Sequence, residues 1–150
     1  ADIVNINVPA KLECILVYPH ISIKTADARE ILPRKIDLSQ AVKQWGNIGG
    51  LISGFFKEDY ELISHSIKGW IVEPVRSKLI PGFDDVKNTA LDLGALGCSI
   101  SGSGPTVFAL TTTDKDAQMI GAEMQAAFFD NGLESDLWIS KVNATGAKII

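Results

Sequence analysis

At 150 residues, with 46% hydrophobic and 21% charged, the chain is long enough for one domain with a substantial core, too short for two ordinary ones and far from the composition of a disordered segment. A formal net charge of -4, with its lysines and arginines scattered, gives no broad attraction to phosphate backbones or anionic lipid, so nucleic acid and membrane surfaces are excluded as partners. No apolar run approaches the ~20 residues needed to cross a bilayer, and Ala1-Asp2-Ile3-Val4-Asn5 lacks a basic segment followed by an apolar one, which makes a cytoplasmic protein the expectation.

In chain order, Lys11 to Pro19 is a short apolar run stopped by proline and reads as a buried strand that carries Cys14. Thr25 to Leu32 holds good helix formers behind a threonine placed to cap them, and Pro33 closes the stretch. From Asp37 to Phe55, apolar side chains at Leu38, Ala41, Val42, Trp45, Ile48, Leu51, Ile52 and Phe55 recur at helical spacing and predict an amphipathic helix. Gly46, Gly49 and Gly50 weaken that helix and are read as permitting close helix packing.

Further helices are expected over Asp59 to Lys68 and Phe83 to Leu96, where Asp84 and Asp85 suit a helix start. Between them two prolines and a glycine make Glu73 to Phe83 a loop or broken helix. Cys98 to Ser101 and Pro105 to Thr111 read as strands joined by a glycine-rich connection. Asp114 is placed to cap a helix through Phe129 that Asn131-Gly132 ends, and Asp136 to Val142 supplies the last strand. The order predicts an α+β fold, a mainly antiparallel four-stranded sheet with helices packed on one face. Cys14 and Cys98 are too far apart for a C-x-x-C motif and lie in apolar runs, so both are expected to be reduced structural thiols. His20 and His65 form no i, i+4 pair, and no metal site is expected.

The segment Gly97-Cys98-Ser99-Ile100-Ser101-Gly102-Ser103-Gly104-Pro105-Thr106 sets small residues between apolar flanks, and its glycines permit positive φ. Successive N–H groups in such a turn can bind an anion, although neither the P-loop pattern nor G-x-G-x-x-G is matched. On composition alone, a plain turn and an anion-binding loop both remain open.

Residues 99 to 109, Ser-Ile-Ser-Gly-Ser-Gly-Pro-Thr-Val-Phe-Ala, closely resemble the third motif of the GHMP kinases. Thr25-Ala26-Asp27-Ala28-Arg29-Glu30-Ile31-Leu32-Pro33 and Glu73-Pro74-Val75-Arg76-Ser77-Lys78-Leu79-Ile80-Pro81-Gly82 resemble stretches of the homoserine kinase family within them, and the likeness extends to Gly146-Ala147-Lys148-Ile149-Ile150. The resemblance implies a ferredoxin-like C-terminal domain spanning residues 1 to 150. It implies that Ser101, Gly102, Ser103 and Gly104 form an active-site loop near the phosphates, and that Arg29 and Arg76 hold the carboxylate of L-homoserine, with Thr25 one helical turn before Arg29.

An arginine's planar fork, charged at any working pH, suits bidentate carboxylate binding. Without the resemblance, Arg29 would be read as pairing with Asp27 or Glu30, and Arg76 with Glu73. The family's early substrate motif and its Pro-x-x-x-Gly-Leu-Gly-Ser-Ser motif do not occur here. The expectation is therefore a chain without the N-terminal ATP-binding domain, inactive alone, with no convincing general base and with ATP and Mg2+ bound only in the complete enzyme. Its implied reaction is ATP-dependent phosphorylation of the L-homoserine hydroxyl in threonine biosynthesis, and a homodimer is the assembly the family implies. Two alternatives are a free-standing module that senses an amino acid, and another GHMP kinase acting on mevalonate or a sugar. A sugar, however, offers the two arginines no carboxylate.

Overall fold

The continuous apolar run Cys14 to Tyr18 makes the first strand. In the computed structural model, which describes residues 4–143 and 145, Glu13–Pro19 forms β1, with Ile15 and Val17 fully buried between half-buried Cys14, Leu16 and Tyr18. That alternation fits a strand with one face on a core and the other partly open. Gly97–Ile100 (β2), Val107–Thr111 (β3) and Ser135–Lys141 (β4) complete a four-stranded sheet of order β2-β3-β1-β4, with every neighbouring pair antiparallel. The register lines Cys98, Ala109, Ile15 and Ile139 across all four strands as one core-facing row.

Two helices cover that row. Phe83–Asp92 (α5) supplies Phe83, Val86 and Ala90, and Asp114–Asp130 (α6) supplies Ile120, Met124 and Phe128. This is the expected α+β architecture, with the strand order of a ferredoxin-like sheet.

Helix ends depart from expectation. Thr25 is the first residue of Thr25–Glu30 (α1), and its cap position belongs to Lys24, which makes no side-chain cap bond. Thr113, not Asp114, caps α6 by accepting from the Asp116 amide at 3.1 Å. Helix α5 stops short of Leu96 because Gly94 turns to φ 90° and the Ala95 amide returns to the Ala90 carbonyl.

Leu38–Lys57 (α2) runs for 20 residues straight through its glycines, and Tyr60–Ser66 (α3) packs back along it. Glu58 reverses the chain in the left-handed region at φ 51°, and Asp59 caps α3 by accepting from the Leu62 amide at 2.9 Å. Close packing needs Gly50, where a Cβ would overlap Ser66, and Gly54, where it would lie 2.9 Å from Ile63 Cγ1. Gly46 and Gly49 do not serve that purpose, since a Cβ at either would meet nothing within 4 Å. Among the described residues no helix is long and apolar enough to cross a membrane. The terminal stretch Gly146 to Ile150 lies outside them.

Candidate functional site

The connection between β2 and β3 is a closed loop. The Ser101 amide donates to the Thr106 carbonyl at 2.8 Å and the Gly104 amide to the Ser101 carbonyl at 3.0 Å. Gly102 at φ 60° and Gly104 at φ 84° occupy the left-handed region, open to glycine without strain. The Gly102 and Ser103 amides make no such bond within the loop.

Glu73-Pro74-Val75-Arg76, expected as irregular chain, forms one helical turn (α4, Glu73–Arg76). Pro74 is tolerated there because the first helical N–H groups need no partner within the helix. A single 3-10 turn, Ser77–Leu79, follows. Arg76 uses this position to join two segments, donating from Nε to the Ala28 carbonyl of α1 at 3.0 Å and from Nη1 to the Gly102 carbonyl at 2.9 Å.

Arg76 does not pair with Glu73, which points elsewhere. The Glu73 carboxylate accepts from Ser99 Oγ of β2 at 2.5 Å and forms an ion pair with Lys87 of α5. The two side chains of that pair are only 12% and 20% exposed, too buried for either charge to be left alone. Helix α4 is thus tied by Glu73 to the root of the glycine loop and by Arg76 to the loop itself.

Glu73 also stands between two cavities. One, of about 350 Å³, is lined by Gln44, Val72, Glu73, Arg76, Ser99 and Gly102. The other, of about 470 Å³, includes His65, Trp70, Glu73, Lys87, Leu91 and Cys98. Burial pushes the Cys98 thiol from an ordinary 9.0 up to about 12, with Lys87 pulling it down and Glu73 pushing it up.

A raised thiol value favours the protonated form in the folded state. Its stabilising contribution is complete below pH 9.0 and is lost as pH climbs toward about 12. Cys98 is accordingly expected to ignore a thiol-reactive dye at pH 8 and to react only after denaturant is added. Rapid labelling of the folded chain at Cys98 would contradict its placement.

Of the residues singled out in the sequence, Arg76 meets the loop formed by Ser101, Gly102, Ser103 and Gly104, and it is tied to α1 beside Arg29. The side chains of Thr25 and Arg29 lie exposed on α1 and make no hydrogen bond or ion pair among the described residues. Gln44, Ser99 and Lys87 were not anticipated. Ser99 lay within the motif, but only its register opposite Phe108, on the sheet face away from α5 and α6, turns it toward Glu73. Among the described residues no group of three His, Cys, Asp or Glu side chains could hold a metal ion.

The family pattern described as GHMP kinases C terminal matches residues 51–131. A homoserine kinase of Chlorobium phaeobacteroides (strain BS1) is 52% identical over 99% of this chain and 47% of its own length. One from Xylella fastidiosa (strain M12) is 33% identical over 99% of this chain and 46% of its own length. The crystal structure of homoserine kinase from Cytophaga hutchinsonii superposes with a TM-score of 0.95 at 54% identity, covering 99% of this chain and 47% of that one. A Streptococcus pneumoniae phosphomevalonate kinase shares the fold at a TM-score of 0.64 and 15% identity, over 90% of this chain and 41% of its own. The chain therefore spans about half the length of the curated relatives it matches.

Proposed function

The chain belongs to the GHMP kinases, as their C-terminal domain, and from that premise we infer that it is the acceptor-binding half of a homoserine kinase. In the complete enzyme the hydroxyl oxygen of L-homoserine attacks the γ-phosphorus of ATP, the bond to the β,γ-bridging oxygen breaks, ADP leaves and the hydroxyl proton is lost. The product is O-phospho-L-homoserine, destined for threonine, and the setting is the cytoplasm.

The observation that carries this reading is the position of Arg76, held by two backbone carbonyls between α1 and the glycine loop at the edge of a cavity. A guanidinium has five N–H donors in a planar fork, so the Nη2 end remains for a carboxylate after these two bonds are made. Arg29, exposed on α1 and next in sequence to the residue that receives the Arg76 Nε bond, is the second cation of this reading.

The loop amides of Gly102 and Ser103 then face the transferred phosphate, supplying fixed donors where charge shifts in the transition state. Glu73 is engaged by Ser99 and Lys87 and serves as the cavity wall rather than as a base. The residues that would hold Mg2+-ATP belong to the other half of the enzyme in this reading, so this chain alone does not turn the acceptor over.

The arginines and the loop are tested separately in an enzyme containing both halves. Arg29→Ala and Arg76→Ala are expected to raise KM for L-homoserine at least tenfold, about 1.4 kcal/mol or more of lost binding. Gly102→Val should lower kcat instead, because a β-branched residue resists the left-handed backbone. An unchanged homoserine KM in both arginine variants would remove the carboxylate assignment, and intact turnover in Gly102→Val would reduce the loop to a turn.

A further inference from the structure

The cavity of about 470 Å³ lies between the end of α3, the turn α4, helix α5 and the start of β2, and Glu73 is the wall it shares with the cavity at Arg76. Its volume is within the range usual for small-molecule sites, roughly 300–1,000 Å³. Most of its surface is apolar, with Ile67, Trp70, Pro74, Leu91, Leu96 and Cys98 in the lining. Trp70 and Leu91 reach solvent whereas Cys98 is buried, so the cavity runs inward from the surface.

The polar groups set in this apolar surface are unequal. Lys87 gives one N–H to Glu73 and makes no other hydrogen bond among the described residues, so two of its three donors stay open. Both oxygens of Glu73 are already engaged, one by Lys87 and the other by Ser99 Oγ. Lys68, exposed and on the same lining, forms no ion pair among the described residues. Two ammonium groups thus stand against one carboxylate, and the lining carries excess positive charge and open donors. An anion with an apolar body meets both features. A ligand ammonium meets neither, since it would face two lysines and a carboxylate whose oxygens are taken.

We propose that this cavity binds a small apolar carboxylic acid as its anion, with the hydrocarbon part against Trp70 and Leu91 and the carboxylate on Lys87 and Lys68. Apolar walls keep water from competing for the Lys87 donors, which makes this contact stronger than a surface ion pair. The same charge pattern rejects an amino acid of equal shape.

The test is isothermal titration of the 150-residue chain with 4-methylpentanoate, beside L-leucine, which is the same acid with an α-ammonium group, and 4-methylpentanamide, which has no charge. A dissociation constant below about 1 mM is expected for the acid, and binding at least tenfold weaker for both analogues. Lys87→Met should abolish binding, but it also strands Glu73, so two variants at exposed positions carry the decision. Leu91→Trp, which fills the cavity, and Lys68→Met, which removes one cation, should each weaken the acid at least fivefold with circular dichroism and melting unchanged. No binding of the acid up to about 10 mM overturns the proposal. L-leucine or the amide binding as well as the acid overturns the charge argument, and binding indifferent to both Leu91→Trp and Lys68→Met overturns the site.

Discussion

Replacing Glu73 by alanine is expected to cost about 3 kcal/mol of folding stability and to disturb the glycine loop. The change leaves the Lys87 ammonium, 20% exposed, without its counter-charge and removes the acceptor of Ser99 Oγ. Breaking a fully buried pair from one side costs about 3–5 kcal/mol, and residual solvent at both side chains places this one at the lower end. Lys87→Met alone should cost a similar amount. Glu73→Ala with Lys87→Met should cost much less than the sum of the single changes, because no charge is then left unpaired. Urea unfolding of the four proteins decides it, and additive losses would show that the two side chains do not stabilise one another.

Two adjacent phenylalanines should give opposite results. Phe128 is fully buried in the core between α6 and the sheet, whereas Phe129 is 70% exposed. Phe128→Ala is expected to cost about 3–5 kcal/mol through lost burial and the cavity left behind. Phe129→Ala should stay within about 0.5 kcal/mol. Similar losses at both positions would mean that α6 is rotated about its axis relative to this structure.

The sheet was legible because its strands announce themselves locally. The apolar run Cys14 to Tyr18, and glycine and proline at the ends of this and the other runs, are properties of neighbouring residues. Helices α5 and α6 were legible as elements, the second from the Asn131-Gly132 pair that ends it. Their caps were less so, since Thr113 and Asp114 are both good caps and only the backbone conformation chooses between them.

The site was half legible. The glycine loop and Arg76 could be picked out by residue type and resemblance, and the structure brings them into contact. The partners of Glu73 could not. Glu73 and Arg76 lie three residues apart on one helical turn, which locally favours pairing, yet each finds a stronger long-range partner. Lys87 lies 14 residues beyond Glu73 and Ser99 lies 26 beyond it, on different elements, and no periodic pattern encodes such meetings. The glycines of α2 show the same limit. Spacing alone did not separate Gly50, pressed against α3, from Gly49, which faces solvent.

The assignment as the acceptor-binding half of a homoserine kinase is tested most directly by ATP-dependent phosphorylation of L-homoserine, with this chain assayed alone and mixed with a separately produced N-terminal half of a homoserine kinase. Turnover only in the mixture is the predicted result. Turnover by the chain alone would contradict its incompleteness, and no turnover in a mixture whose halves bind each other would contradict the acceptor assignment.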